Sequence, residues 1–307
     1  MNQTLSPAQL AAYFDRIGYS GPQQATSETL HALHRLHPQV IPFENLDPLL
    51  GRTPRLDLES VFAKLVSARR GGYCYEHNLL FRAVLDTLGF GTTGLAARVM
   101  WNSAGNNPAA LPPRTHMILL VETPNETWLA DVGFGSMTLT APLLFDTGRE
   151  QETPHESFRL DLIERGDFLL QVKLGDAWRP IYRFDLEPQF PADYAMANHY
   201  VSTYPDSIFV NHLIVARVMP GERRTLLDTI LTQRGTESTR ESKRKLASAE
   251  ELRGVLQDTF GLLLADSDCA SDSASNSDIR RETSADGLDA VLERIVGLPT
   301  PDTSATS

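Results

Sequence analysis

Leu10, Tyr13, Phe14 and Ile17 fall on one face of a 3.6-residue period, and the residues flanking them mark where that helix begins and ends. Ser6-Pro7-Ala8-Gln9 combines an N-cap serine, a proline at the first helical position and a glutamine placed to close a capping box, and Gly18 supplies the stop. A second helix is predicted from Thr26 or Ser27 through Leu30, Leu33 and Leu36 to Pro38, and a third over Asp57 to Ala68 with Leu58, Val61, Phe62, Leu65 and Val66 inward. A fourth follows Cys74, with Leu80, Phe81, Val84, Leu85 and Leu88 at helical spacing and Gly89 as its end. The first 89 residues therefore read as a helical domain.

After Gly89 the period changes from 3.6 to 2. Phe90 to Trp101 reads as a strand, Asn102 to Pro113 as a loop, Arg114 to Val121 as a strand with alternating faces, and Thr127 to Val132 as its antiparallel partner across Thr123-Pro124-Asn125-Glu126. Ser157 to Ile163, Phe168 to Leu174 and Trp178 to Phe184 form a meander of the kind found in barrels and sandwiches. Pro191 to Tyr200 reads as a short helix or an irregular crossing, Ile208 to Met219 as a strand, and Thr225 to Leu231 as another. A capping box at Ser248-Ala249-Glu250-Glu251 opens a helix that buries Leu252, Val255, Leu256 and Phe260. Residues 265–286, rich in Ser, Asp, Ala and Asn, read as a polar extension carrying Cys269 as an incidental thiol, before a short amphipathic helix with Leu288, Val291, Leu292 and Ile295. The fold class is α+β, divided at 1–89, 90–195, 196–264 and 265–307.

Composition narrows the function classes. No apolar run approaches the ~18 residues that span a bilayer, and the N-terminus lacks a basic start and an apolar signal region, so a cytoplasmic protein is expected. Two cysteines do not make a disulfide framework or a cysteine zinc site. A net charge of −11, from 28 basic and 39 acidic residues, argues against nucleic acid or an anionic membrane as the main partner. His31, His34 and His37 share a helix without a carboxylate or cysteine in a ligand pattern, so a solvated or half-buried face is expected and no metal.

The chemistry-bearing stretch is Arg69-Arg70-Gly71-Gly72-Tyr73-Cys74-Tyr75-Glu76-His77-Asn78. It sets a thiol at the junction of a glycine turn and a helix, where unpaired N–H groups and the helix dipole favour a thiolate. A buried, inert cysteine is the alternative, and partners elsewhere decide between the two. The 114–132 hairpin offers them. If Thr123 pairs with Glu126, Ile118 lies opposite Asp131 and His116 opposite Gly133, so His116 and Asp131 become diagonal neighbours on one face. An aspartate in an apolar strand needs such a partner. The glycines of Gly133-Phe134-Gly135-Ser136 would let a ligand lie close to the backbone.

With Cys74, His116 and Asp131 in this order, and with Pro42-Phe43-Glu44-Asn45-Leu46, Arg114-Thr115-His116 and Asp131-Val132-Gly133-Phe134-Gly135 around them, the sequence resembles the arylamine N-acetyltransferases over residues 5 to 263. The resemblance implies a helical N-terminal domain, an antiparallel β-barrel domain and an α/β lid around a cysteine-protease-like catalytic core. It implies that Cys74 takes the acetyl group from acetyl-coenzyme A and passes it to the nitrogen of an arylamine, arylhydrazine or arylhydroxylamine by ping-pong kinetics. His116 would be the base and Asp131 its orienting group. Phe43, Val99, Phe134 and Phe209 would form the acceptor pocket, and Gly133, Gly135 and Ser136 would lie near the coenzyme. No permanently bound cofactor is implied, and a homodimer is compatible. Glu44 and Arg70 are expected to form an ion pair, and His77 to be a decoy for the base. A thiol hydrolase or transglutaminase-like enzyme, and a silent binding homologue, are the alternatives that the sequence leaves.

Overall fold

The computed structural model describes residues 4–101, 111–236, 241–264 and 287–299. Helices α1 (Pro7–Ile17), α2 (Ser27–Val40), α3 (Leu46–Leu49), α4 (Leu58–Phe62, continuing as a π-helical turn Ala63–Ser67) and α5 (Cys74–Thr87) build the first layer, together with a short strand β1 (Phe43–Glu44). The Ser6 capping box forms in full, and Gly18 caps α1 in the left-handed region at φ 71°. Tyr13, Phe14, Ile17, Leu30, Leu33, Val61, Leu65, Phe81 and Val84 close a common core. Helix α2 runs past Pro38 to Val40, further than the sequence predicts.

Strands β2 (Gly91–Val99), β3 (Arg114–Glu122), β4 (Thr127–Ala130), β5 (Leu143–Leu144), β6 (Glu150–Glu152), β7 (Ser157–Leu162), β8 (Phe168–Leu174) and β9 (Ala177–Phe184) form one antiparallel sheet in the order β5-β4-β3-β2-β9-β8-β7-β6. It curls until its ends meet. The Gln151 amide exchanges two hydrogen bonds with the Leu144 backbone at 2.8 and 2.9 Å, and Thr147 bridges to Leu160, so the sheet is a nearly closed barrel. The β3 faces alternate as the period-2 pattern requires. Met117, Leu119 and Val121 pack on the helical core and Ile118 points into the barrel.

Helices α6 (Pro191–Thr203) and α7 (Ile208–Asn211) lead to strands β10 (Ile214–Met219), β11 (Glu222–Leu227), β12 (Ile230–Gly235) and β13 (Glu241–Lys245), which pair with β1 in the order β1-β10-β11-β12-β13. The sequence predicts Ile208 to Met219 as one strand. Its first four residues instead form α7, because Ser207 caps that turn and the Asn45 amide holds the Phe209 and His212 carbonyls at 2.8 and 2.7 Å. The strand predicted over Thr225 to Leu231 is a hairpin. Asp228, at φ 51°, turns the chain while its carboxylate takes the Leu213 N–H and the His212 ring. Helix α8 (Ala249–Gly254, continuing as a π-helical turn Val255–Thr259) and α9 (Leu288–Val296) cover this sheet through Leu252, Leu256, Leu288, Leu292 and Ile295. The expected loop at 102–113 lies mostly outside the described residues, and the extension at 265–286 with Cys269 lies wholly outside them.

The layers are tied by buried ions. Arg70 donates to Glu44 Oε1 from Nε at 3.2 Å and Nη2 at 2.9 Å, while Lys64 reaches Asp47 at 2.6 Å and Glu76 at 2.7 Å. This fixes the β1 corner against the start of α5. Glu44 is 1% exposed, so Arg70→Ala is expected to cost about 3 kcal/mol, the low end of the range for breaking a buried pair, since Lys64 remains 4.0 Å away. The check is a lower urea midpoint with an unchanged slope.

Candidate active site

Cys74 is the first residue of α5, buried to 4% exposure, so its side chain sits where the helix has N–H groups without intrahelical acceptors. The turn before it closes locally. The Glu76 carboxylate accepts the Tyr73 N–H at 3.1 Å, and Gly71 passes so near Pro42 that a Cβ would lie 2.2 Å from its carbonyl oxygen. No other residue type fits there.

The hairpin pairs in the register read from the sequence. Thr123 N–H bonds the Glu126 carbonyl, and Leu119 faces Ala130. The ladder ends at Ala130, and Asp131 follows it one residue later. His116 Nε2 lies 2.7 Å from Asp131 Oδ2, and the ring borders the same cleft as Cys74, near enough for the thiol to act on its protonation. Asp131 is fully buried and fully held. Its Oδ1 accepts from Asn78 Nδ2 at 3.1 Å and from the Gly133 N–H at 3.0 Å. Asn78 also donates to the Met117 carbonyl at 2.8 Å and accepts the Val132 N–H at 3.2 Å, so one amide on α5 clamps both strands of the hairpin. On the opposite side His34 Nε2 accepts the Asp131 N–H at 3.2 Å.

Electrostatics follow from these contacts. Burial alone would lower His116, but the Asp131 carboxylate, their hydrogen bond and Cys74 outweigh it and push the ring up to about 10. Burial likewise opposes ionisation of Asp131, yet His116, the Gly133 N–H and Asn78 hold its carboxyl below the usual range. The other buried rings stay neutral: burial lowers His34 to about 3 and His77 to about 4. His77 also has both nitrogens engaged, one 2.9 Å from His37 Nε2 and one 3.2 Å from the Pro42 carbonyl. It is not free to serve Cys74.

A cleft of about 270 Å³ opens beside Cys74 and His116. Phe43, Val99, Phe134 and Phe209 line it, as do Gly133, Gly135 and Ser136, so every residue expected to catalyse, to hold the arene or to lie near the coenzyme borders the cleft except Asp131, which lies behind His116. The glycines act differently from the expectation of ligand approach alone. A Cβ at Gly133 would lie 2.9 Å from His77 Cβ and 3.0 Å from Cys74 Cα, so Gly133 lets the hairpin settle on the start of α5, and Gly135 supplies a φ of 87°. The cleft's far wall, with Ile208 from α7 and Thr225, Leu226 and Thr232 from the second sheet, was not readable beforehand. Arg223 joins the walls: it grips Glu156 and donates to the Ser136 and Thr138 carbonyls at 3.3 and 2.9 Å, while Arg234 reaches Glu156 at 2.9 Å.

His31 is half-buried, within the expected solvated or half-buried face, whereas the His34 and His37 side chains are fully buried, which corrects that expectation for them. Their partners, Asp131, Tyr13 and His77, come from three other elements. Among the described residues no cluster of three or more His, Cys, Asp or Glu has the geometry to hold a metal, and no helix is long and apolar enough to cross a membrane.

Comparison with known proteins agrees with this architecture. Residues 26–269 match a family model described as N-acetyltransferase. The arylamine N-acetyltransferase of Escherichia coli K12 is 45% identical over 251 residues, covering 81% of this chain and 87% of that one. The enzyme of the same name from Mycolicibacterium smegmatis is 41% identical over 261 residues, covering 84% and 93%. Among solved structures, Mycobacterium marinum arylamine N-acetyltransferase in complex with CoA superposes with a TM-score of 0.83 at 36% identity, over 93% of this chain and 99% of that one. That of Salmonella typhimurium gives 0.80 at 36% identity, over 94% and 99%. A cysteine at a helix start beside a histidine–aspartate pair, on this fold and at these identities, identifies the chain as a member of the arylamine N-acetyltransferase family, an acyltransferase.

Proposed function

We propose that the enzyme moves an acetyl group from acetyl-coenzyme A through a Cys74 thioester to the nitrogen of arylamines, arylhydrazines or arylhydroxylamines. The observation that carries the reading is His116, bonded to the buried Asp131 carboxylate at 2.7 Å and sharing the edge of an aromatic cleft with Cys74, which acts on its protonation. The thiol proton rests on His116 as an imidazolium–thiolate pair, and the thiolate attacks the acetyl thioester carbonyl. First-turn amides of α5 face the developing oxyanion. The C–S bond to coenzyme A breaks, and the imidazolium returns its proton to the departing thiolate. An amine then attacks the acetyl-cysteine carbonyl, His116 accepts the amine proton, and Cys74 leaves. Asp131 keeps the ring oriented and stabilises its charged form throughout.

Phe43, Val99, Phe134 and Phe209 would bind the arene, and Gly133, Gly135 and Ser136 would lie along the coenzyme arm; the CoA-bound structure of the M. marinum relative supports such a cosubstrate. The cytoplasm suits the mechanism, because its reducing poise keeps the nucleophilic thiol free. The test is initial-rate kinetics against both substrates. Parallel double-reciprocal lines, with an adduct of about 42 Da formed from acetyl-coenzyme A alone and discharged by an arylamine, are expected. Intersecting lines with no adduct would overturn the thioester route, and discharge by water as fast as by amine would make the protein a hydrolase.

A further inference from the structure

A buried line of polar groups from α1, α2 and α5 ends at the cleft wall, and the acetyl-transfer steps do not use it. Tyr13 Oη lies 2.8 Å from His37 Nδ1, His37 Nε2 lies 2.9 Å from His77 Nδ1, and His77 Nε2 lies 3.2 Å from the Pro42 carbonyl. All three side chains are buried. The polarity of the line is fixed from its end. A carbonyl only accepts, so His77 Nε2 carries the proton. A neutral ring has one, so His77 Nδ1 accepts from His37 Nε2–H, His37 Nδ1 accepts in turn, and the Tyr13 hydroxyl donates. Burial disfavours a charge on either ring, and a second proton on His77 would set two donors face to face against His37 Nε2–H.

The terminus of the line bears on the cleft. Pro42 precedes Phe43, whose ring lines the cleft and lies within 8° of parallel to the His77 ring at 6.4 Å. The Pro42 carbonyl also meets the Gly72 N–H at 3.4 Å, in the turn that delivers Cys74. On its other side His77 abuts Gly133, where a Cβ would come within 2.9 Å. His77 therefore stands between Gly133, which meets its Cβ, and Phe43, which its ring faces, one helical turn beyond the nucleophile.

We propose that Tyr13, His37 and His77 form a positioning line that sets the Phe43 wall, so that it governs acceptance of the arene more than formation of the acetyl-enzyme. This rests on the proposed assignment of Phe43 to the acceptor site. A shift of the Pro42–Phe43 segment takes the Pro42 carbonyl away from the His77 N–H, and the Gly72 carbonyl beside it already accepts the Glu44 N–H at 2.8 Å.

Two substitutions split the ring's two bonds. His77→Asn keeps an acceptor near the Nδ1 position facing His37 and loses the donor to Pro42, whereas His77→Gln places an amide N–H near the Nε2 position and loses the acceptor. In ping-pong kinetics kcat/KM for each substrate isolates its own half-reaction. His77→Asn is expected to lower kcat/KM for an arylamine by about tenfold, the worth of one buried hydrogen bond, with kcat/KM for acetyl-coenzyme A falling about twofold or less. His77→Gln retains most of the arylamine value. Equal losses in both half-reactions, or no loss with His77→Asn, would overturn the proposal.

Nitrogen-15 NMR of histidine-labelled wild-type protein tests the line without any assay of transfer. His37 and His77 are expected as neutral Nε2–H tautomers from about pH 5 to 9, with His34, whose Nε2 accepts the Asp131 N–H, as the opposite tautomer for internal contrast. An Nδ1–H or charged His77 would sink the line itself, whatever the enzyme acetylates. Should His77→Asn not fold, Tyr13→Phe removes only the distal hydroxyl. It is expected to lower arylamine kcat/KM about twofold to threefold with acetyl-coenzyme A unaffected, and a reversal of that ranking would count against the proposal.

Discussion

Cys74→Ser is expected to lower acetyl transfer by on the order of 10⁴-fold or more while leaving the fold intact. The substitution changes one buried atom at the first position of α5 and keeps a hydroxyl that can still donate to the Thr115 carbonyl, which the thiol reaches at 3.7 Å. Thermal unfolding should therefore stay within a few degrees of the parent, since a change of about 1 kcal/mol moves a chain of this size by about 2–4 °C. A serine hydroxyl holds its proton far more tightly than a thiol, so the His116 ring has no easily ionised partner. Intact mass after mixing with acetyl-coenzyme A should show no adduct, and peptide mapping of the wild type should place the acetyl group on Cys74. An adduct that survives in Cys74→Ser would transfer the nucleophile's role elsewhere. His77 is a poor candidate for it, being neutral and bonded at both nitrogens.

What could be read from the sequence was what local chemistry decides. The Ser6 capping box, the glycine turn before Cys74 and the register of the 114–132 hairpin each depend on a few neighbouring residues and appear as expected, while at Ser248 the serine half of the box forms and the Glu251 carboxylate takes the Ala247 N–H instead. From that register the His116–Asp131 contact follows, because period-2 alternation leaves the two side chains on one face. Elements decided by distant partners were not legible. Ile208-Phe209-Val210 reads as strand until the Asn45 amide, 164 residues away in sequence from Phe209, takes the carbonyls of Phe209 and His212 and favours a helical turn. Glu241 to Lys245 is polar at every position, and only pairing with β12 makes it a strand. His34 and His37 read as a solvated or half-buried helix face because nothing nearby reveals that Asp131, Tyr13 and His77 will meet them. Asn78, which clamps the hairpin, carries no signal of its own beyond lying near Cys74.

Asp131→Asn is expected to cost on the order of 10³–10⁴ in kcat, by reversing the polarity of His116 rather than by unfolding the site. Two donors, Asn78 Nδ2 and the Gly133 N–H, already face Oδ1. An amide in place of the carboxylate turns its oxygen toward them, which leaves its NH₂ toward His116 Nε2. That nitrogen must then accept, the ring proton moves to Nδ1, and the nitrogen facing Cys74 can no longer take the thiol proton. The charge goes as well. With Asp131 ionised, His116 is raised from 6.5 to about 10, so its contribution to stability is fully present below pH 6.5 and is lost as pH rises through about 10. Without the carboxylate its two raising effects are gone and only Cys74 still opposes burial, the larger influence, so the ring is expected to fall below its ordinary value and stability to be lost instead as pH drops through the unfolded value near 6.5. Urea midpoints measured against pH should thus slope in opposite senses for the two proteins, and a histidine titration should move from near 10 in the wild type to below 6.5 in the variant. A variant that keeps a near-wild-type kcat would remove Asp131 from the mechanism. One that loses kcat while His116 still titrates near 10 would show that the ring's charge comes from Cys74 and not from the carboxylate.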